Sequence, residues 1–572
     1  MNRIDSEERA RGRVVSTQAA PALAASARGA GWFLFSTALV CGAAVMVIEV
    51  MGSRVIGPFF GVSLFVWTSL ISVTLIALAA GYAVGGRLAD RWETAGALSG
   101  LIAAAGCLTA AVPWLKGPVL AVCLSLGLRV GAFASAALLF GPALFCLGCV
   151  SPYLVKLAAR ELRRIGSTVG TLYALSTLGS VAGTLVAGFL LAAFLGVGQL
   201  FQLTGGGLIL WGAVPLVVSR PRRAPLLLLG ALAVVPAPGG KAAQVLPGGT
   251  VATLAASVEN FYGAVKVVDY RFGPTHTREL VIDGLVQGGI DIASGLPVYE
   301  YFYGLQWLPT AIHPGGRRCL VVGLGAGLVP SWYERNGILT DSVDINPEVV
   351  RLAREHFGFA PRGAVHVEDA RAFLSRTGEV YDYVILDVFN GDAAPPHLLS
   401  VESFRSVRAR MVPGGVLAVN FMGDLGARRY MTASVVRTME AVFSTVQIYP
   451  TFDPAAGGQG NLVLLAYDGP DVTPPADAFA SGAVHPLAVA ARQIPGWRFR
   501  LPPGERSVIL TDDYNPIDLY DVHLHEAVRR RILADTPWGI LLGASAGRTR
   551  ASLPGGAAAA EGAGPGKEGS VG

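Results

Sequence analysis

Five apolar runs, at about residues 32–52, 64–84, 96–115, 172–195 and 198–218, dominate the first half of the chain. Each approaches the ~20 residues an α-helix needs to cross a bilayer. In lipid every backbone N–H and C=O must be satisfied within its own segment, so runs of this kind have one ready outcome, a bundle of membrane helices. Two stretches fit that length poorly: 117–155 is long for one crossing and short for two, and "APLLLLGALAVVPAP" at 224–238 is short and ends in prolines.

Basic residues set the expected orientation. Arg3, Arg9, Arg11, Arg13 and Arg28 place the N-terminus inside, and Arg87 and Arg91 fall two crossings later. Lys156, Arg160, Arg163 and Arg164 form the next cluster, then Arg220, Arg222 and Arg223. Lys and Arg collect in cytoplasmic loops. Six crossings put every cluster inside, with 117–155 crossing once and 224–238 only dipping. Eight would leave the second half inside but expose the 156–164 cluster, and seven would export the second half. The expectation is therefore six crossings, in the cell (inner) membrane, with a cytoplasmic second half.

Charge follows the same division. Residues 1–249 hold 18 Lys and Arg against 7 Asp and Glu, whereas residues 250–540 hold 24 against 31. The basic excess belongs to the membrane half and gives no reason to expect nucleic acid, while the acidic second half suits a cationic ligand. Of six cysteines, five lie in apolar stretches, and the C-x-x-C of Cys146 and Cys149 has no further Cys or His nearby to complete a zinc site. Packing is the expected role. Glu49, in "VMVIEVMGSR", is a carboxylate inside a predicted span, a functional candidate unless it sits at the interface or pairs with Arg54. "GYAVGGRLADR" at 81–91 weakly resembles a loop of major-facilitator transporters; packing and topology explain it equally.

From about residue 250 the pattern shortens. "GAVKVVDYR" (263–271) and "RELVIDGLVQGG" (278–289) alternate polar and apolar residues around turn-forming segments, as in a hairpin layer. An apolar strand at 318–322 then runs into Gly323, Gly325 and Gly327, followed by a helical stretch. Such glycines permit a tight turn and close approach of the backbone to a ligand at a helix N-terminus. The spacing G-x-G-x-G is weak alone. Asp344, 17 residues beyond Gly327, strengthens it, since an acid at the tip of the second strand is placed to grip a ribose diol. Pro347 opens the next helix. Asp369 follows a short strand in "AVHVEDARAFL", and Asp387 ends the buried strand of "YDYVILDVF". Each acid alone reads equally as a helix cap; three at strand ends beside a glycine loop read as one site.

Residues 258–470 resemble the spermidine synthase (polyamine aminopropyltransferase) family, on "ELVIDGLVQ", "VYEYFYGLQWLP" and "YDYVILDVF…PGGVLAVN". "LTDDYNPID" at 511–518 looks like the C-terminal signature of a bacterial group in which such a domain follows a major-facilitator-like membrane segment. The resemblance implies a multi-pass helical membrane domain (31–240) after a loose tail (1–30). A small β layer (250–312), a Rossmann-like, S-adenosylmethionine-type α/β domain (313–540) and a disordered tail (545–572) then follow. It implies aminopropyl transfer from decarboxylated S-adenosylmethionine, a co-substrate, to a putrescine-like amine, with no prosthetic group or metal; homo-oligomers are compatible with it. By position, Gly323, Gly325 and Gly327 would line the nucleoside, Asp344 would hold the ribose, Asp369 would meet the adenine, and Asp387 would accept the proton. Gln287 and Tyr299 match positions lining the donor and amine pockets.

Two positions depart from the family pattern. Ala326 stands where an aspartate is usual, and Asn390 replaces the second acid of D-S-S-D-P. Carboxylates hold a diamine, so their loss alters the amine half of the site, for which Glu300, Asp392, Asp512 and Asp513 are candidate substitutes. Competing expectations are a transporter or sensor whose soluble domain binds a nucleoside or polyamine, and a methyltransferase using intact S-adenosylmethionine.

Overall fold

The computed structural model describes residues 5–61, 64–158, 165–191, 195–219, 243–246, 248–388, 395–456, 458–475 and 482–517; for residues 5–30, 64, 216–219 and 456 only the backbone is described. The first half is helical: α1 (Asp5–Phe60), α2 (Leu64–Arg91), α3 (Ala95–Leu124), α4 (Leu128–Leu139), α5 (Gly141–Ala158), α6 (Ile165–Leu185, continued by a π-turn Val186–Leu191) and α7 (Val197–Ser219). Six of the described helices are long and apolar enough to cross a membrane, and α4 is too short. The awkward stretch 117–155 divides accordingly. Its start extends α3, and α5 alone has crossing length. The expected loose tail differs too, because α1 begins at Asp5; Ala, Arg and Glu, which fill this stretch, are strong helix formers. The 224–238 run and the 545–572 tail lie outside the described residues.

Small residues let these helices touch backbone to backbone, as membrane helices do. A Cβ on Gly179 would fall 2.0 Å from the Leu39 carbonyl oxygen, and one on Gly183 2.5 Å from that of Ala43, so α6 runs parallel to α1. Gly106 meets Gly205 and Ser99 meets Gly212, which makes α3 and α7 antiparallel. Gly85 abuts Cys149, and Lys156 donates to Asp90 at 3.1 Å, so α2 and α5 run together. The 81–91 loop motif and Cys149 are thus explained by packing. Gly85→Val would drive a branched side chain into Cys149 Cα, 2.5 Å from the Cβ position. We expect a cost of about 1–3 kcal/mol or more, measured as a lower melting temperature of the detergent-solubilised protein.

The second half is an α/β unit with an all-β layer in front. The layer is a five-stranded antiparallel meander: β1 (Ala243–Val245), β2 (Val251–Asn260), β3 (Gly263–Phe272), β4 (Thr275–Ile282) and β5 (Leu285–Asp291). The second expected hairpin stretch folds back on itself at Asp283–Gly284, both with left-handed backbone (φ 47° and 82°), as a tight two-residue hairpin requires.

Beyond it, α8 (Glu300–Ile312) leads into β6 (Arg318–Val322), α9 (Leu328–Arg335), β7 (Leu339–Asp344), α10 (Pro347–Phe357), β8 (Val365–Val367), α11 (Ala370–Arg376) and β9 (Tyr381–Leu386). Then come α12 (Val401–Arg408), β10 (Met411–Asp424), α13 (Tyr430–Glu440), β11 (Thr445–Pro450) and β12 (Gln459–Tyr467). The seven strands run β11-β12-β10-β9-β6-β7-β8. All neighbours from β10 to β8 are parallel, whereas β12 pairs antiparallel with both β10 and β11. The sheet is therefore mixed rather than wholly parallel. Both its faces are covered, one by a cluster around Val321, Tyr333 and Ile385, the other by one around Leu320, Phe404 and Leu464. Chain order reverses at β6, between β7 and β9, the switch point where open α/β sheets bind ligands.

Candidate active site

The crevice at that switch point is built around Gly323. Its N–H donates to the Val343 carbonyl on one side, and the Asp387 N–H donates to the Val322 carbonyl on the other. Gly323, Gly325 and Gly327 all have left-handed φ (86°, 52° and 73°), conformations that glycine adopts without penalty. A Cβ on Gly323 would lie 2.1 Å from the Asp387 carbonyl oxygen, and one on Gly327 would enter the Phe359 ring at 2.8 Å. The loop is thus folded tightly against the strand that carries Asp387.

Asp344 holds the loop in shape. Its Oδ2 accepts from Leu324 N–H at 2.9 Å and its Oδ1 from Asn346 N–H at 2.8 Å. Burial pushes its carboxyl upward, and those backbone donors oppose the shift. The Gly325 N–H is a third backbone donor to the same carboxylate. Asn346 in turn caps α10, with Pro347 in its first turn as expected. Asp369 caps α11, accepting from Ala372 N–H at 3.0 Å, and lies 3.6 Å from His397 Nε2. Its partners are therefore those of a helix cap.

Asp387 sits at the tip of β9, partly enclosed. Burial pushes it up to about 6, against a hydrogen bond of 2.8 Å donated by Asn420 Nδ2 to its Oδ1. Asn461 Nδ2 donates to Asn420 Oδ1 at 2.9 Å, which fixes the amide's orientation. Asp344 and Asp387 flank β6 on adjacent strands, so they stand about 10 Å apart, two strand spacings.

The β layer and α8 close the crevice. Tyr301 stands near enough to Asp387 to feel its charge, and its hydroxyl donates to the Gln287 carbonyl at 3.2 Å. The same Gln287 carbonyl is 3.3 Å from where a Gly325 Cβ would be, so β5 covers the glycine loop. The ring of Tyr301 stacks on Tyr299, 6.5 Å between centroids. Tyr299 donates its hydroxyl to Glu279 Oε1 at 2.6 Å. Burial raises Glu279 to about 7, the Tyr299 bond opposing. Glu300 opens α8, its carboxyl raised by burial.

Several expectations change here. Asp512 does not serve an amine pocket: it pairs with Arg371 at 2.7 Å and accepts from Ser400 Oγ at 2.5 Å, pinning the C-terminal signature to α11. Arg54 does not pair with Glu49; it donates to the Asn260 and Phe261 carbonyls, and Glu49 is bonded to Thr74. Asp392 and Asn390 lie outside the described residues. Ala326 is buried against the layer, its Cβ 3.4 Å from the Cβ position of Gly288. Glu279, Tyr301 and Asn420 were missed by sequence reasoning, although Glu279 opens the quoted "ELVIDGLVQ".

Comparison with known proteins bears on the second half. A polyamine aminopropyltransferase of Vibrio vulnificus is 29% identical over 235 residues, 39% of this chain and 76% of that protein. Likeness of this kind indicates a spermidine synthase-like domain over part of the chain, and a transferase. A polyamine aminopropyltransferase of Synechococcus sp. is 28% identical, over 39% of this chain and 71% of its own. An N-terminal histidine N-methyltransferase of Emericella nidulans is 33% identical over 167 residues, but these are 29% of that protein. Among solved structures, a probable spermidine synthase from Corynebacterium glutamicum is 22% identical, covering 43% of this chain and 86% of its own, with a TM-score of 0.34. No family model matches the chain.

Proposed function

We propose that the protein is a membrane-tethered polyamine aminopropyltransferase, spermidine synthase-like, which uses decarboxylated S-adenosylmethionine as co-substrate. The observation that carries this reading is Asp387: a partly enclosed carboxyl near 6, on the residue whose backbone carbonyl packs against Gly323, with Tyr301, Tyr299 and Glu279 leading away from it. The glycine loop and Asp344 would hold the adenosine. An amine nitrogen attacks the propyl carbon next to the sulfonium; a C–N bond forms, the C–S bond breaks, and methylthioadenosine leaves with the sulfur's electron pair. The attacking nitrogen's proton passes to Asp387, whose raised pKa suits a base working near neutrality. Glu279 would supply the carboxylate that a cationic amine needs and that Asn390 lacks, and the tyrosine faces would favour the same cation.

The test follows product release by the full chain in detergent or membranes. Methylthioadenosine should appear only with decarboxylated donor plus an amine from a panel of di- and polyamines. Release of S-adenosylhomocysteine from intact S-adenosylmethionine would favour the methyltransferase reading, which the Emericella likeness supports. Tyr299→Phe probes the amine end. Losing the hydroxyl raises Glu279 further above about 7 and leaves less of it charged. We expect the amine KM to rise roughly tenfold, as loss of one hydrogen bond to a charged group implies, with kcat less affected. In the wild type, amine affinity should strengthen as pH rises through about 7, and the variant should displace that rise upward.

A further inference from the structure

We infer that the transferase domain lies on the membrane face opposite the basic loops. The inference rests on reading the six long helices as spans. Their contacts define two ends. One end holds Arg87, Arg91 and Lys156, tied by the Asp90–Lys156 bridge; it also holds the start of α3 and, through the Ser99–Gly212 contact, the end of α7 at Ser219. In sequence, Arg160, Arg163 and Arg164 follow Ala158 of α5, and Arg220, Arg222 and Arg223 follow Ser219 of α7. The other end holds the C-terminus of α1, Lys116 of α3 and the start of α7, with Phe60 against the Cβ position of Gly131 and Pro113 against that of Gly198.

The β layer docks on this second end, the one poor in basic loops. Arg54 Nη1 donates to the Asn260 carbonyl at 2.6 Å and Nη2 to that of Phe261, and the guanidinium lies 5.6 Å from the Phe261 ring centroid. Val197 N–H donates to Glu259 Oε2 at 2.9 Å. The Cβ position of Gly284 is 3.1 Å from the Pro58 carbonyl oxygen. Between them lies a cavity of about 400 Å³ whose lining includes Trp67, Lys116, Glu259, Lys266 and Asp283. Lys116 of the bundle and Glu259 of the layer both line it, near enough for each charge to act on the other.

Ser219 thus ends at the basic end while Ala243 pairs with Thr253 in the layer docked at the other. Since Lys and Arg loops stay cytoplasmic, the site then opens to the outer side. This deepens the proposed function by naming the source of the acceptor, an amine outside the cytoplasm. A donor made in the cytoplasm would have to be moved across the bilayer before the reaction.

The test is the full chain in a bacterial inner membrane, carrying either alkaline phosphatase or a green fluorescent protein after Gly572. The expected result is active phosphatase, a dark fluorescent fusion, and loss of the intact transferase domain when protease is added to spheroplasts. Bright fluorescence, inactive phosphatase and a protected domain would overturn the inference and return the domain to the side of the basic loops. None of these readouts needs catalysis. A failed methylthioadenosine assay would leave the topology untouched, and a cytoplasmic domain would leave the transferase reading in place.

Discussion

Asp387→Asn will cut methylthioadenosine release by roughly 10²–10⁴-fold, the usual worth of a positioned base, yet the protein will melt no earlier than the wild type at neutral pH. The two halves of this result have one cause. Burial lifts Asp387 from 3.8 to about 6, so the folded state pays for holding it ionised. A carboxyl raised on folding contributes stability below its unfolded value and loses that contribution as pH rises through its folded value. Above about pH 6 the wild type therefore carries a strained charge that the amide lacks. Asn keeps an oxygen to accept from Asn420 Nδ2, so the 2.8 Å bond survives. The variant's advantage in melting temperature should shrink as pH falls through about 6, while wild-type activity falls over the same range because the base takes up its proton. A variant that melted well below the wild type at neutral pH, or retained turnover, would remove Asp387 from the role of base.

Gly323→Ala is expected to have the second largest effect. The residue would have to hold φ 86° with a Cβ placed 2.1 Å from the Asp387 carbonyl oxygen. Strain of this kind costs about 1–3 kcal/mol before any clash is relieved. Relief requires β6 and β9 to separate at their tips, which moves Asp387 relative to the donor. A displacement on the order of 1 Å is worth about 10²-fold in rate. Donor binding, measured by calorimetry with decarboxylated S-adenosylmethionine or methylthioadenosine, should weaken together with turnover. Gly325→Ala makes the contrast. The nearest atom to its Cβ position, the Gln287 carbonyl oxygen, is 3.3 Å away, so its loss should be smaller. Equal effects at both positions would show that backbone conformation, and not contact with Asp387, controls this loop.

Much of the site was legible because its signals are local. A glycine run after an apolar strand, an acid at the next strand tip and a proline opening the next helix each follow from one segment's own turn chemistry, and Gly323, Asp344 and Asp387 do converge on one crevice. Where several segments compete for one residue, the sequence was silent. Asp512 looked available for an amine until Arg371 was seen to hold it. Asp369 caps α11 through one oxygen, as its sequence context allowed, and its other oxygen lies 3.6 Å from His397 Nε2, a neighbour that only the fold supplies.

By itself, then, the sequence determined the helices and the strand-end acids: twenty apolar residues have no other way to satisfy their backbone in lipid, and a glycine with left-handed φ has few substitutes. Only the tertiary structure decided that Glu279 from β4, Tyr299 at the start of α8 and Asp387 from β9 share one crevice, and that the β layer meets the bundle through Arg54 and Glu259. Periodicity states which face of an element is buried. Which remote elements end at the same point is set by strand order and by helix packing, and neither leaves a trace in a short stretch of chain.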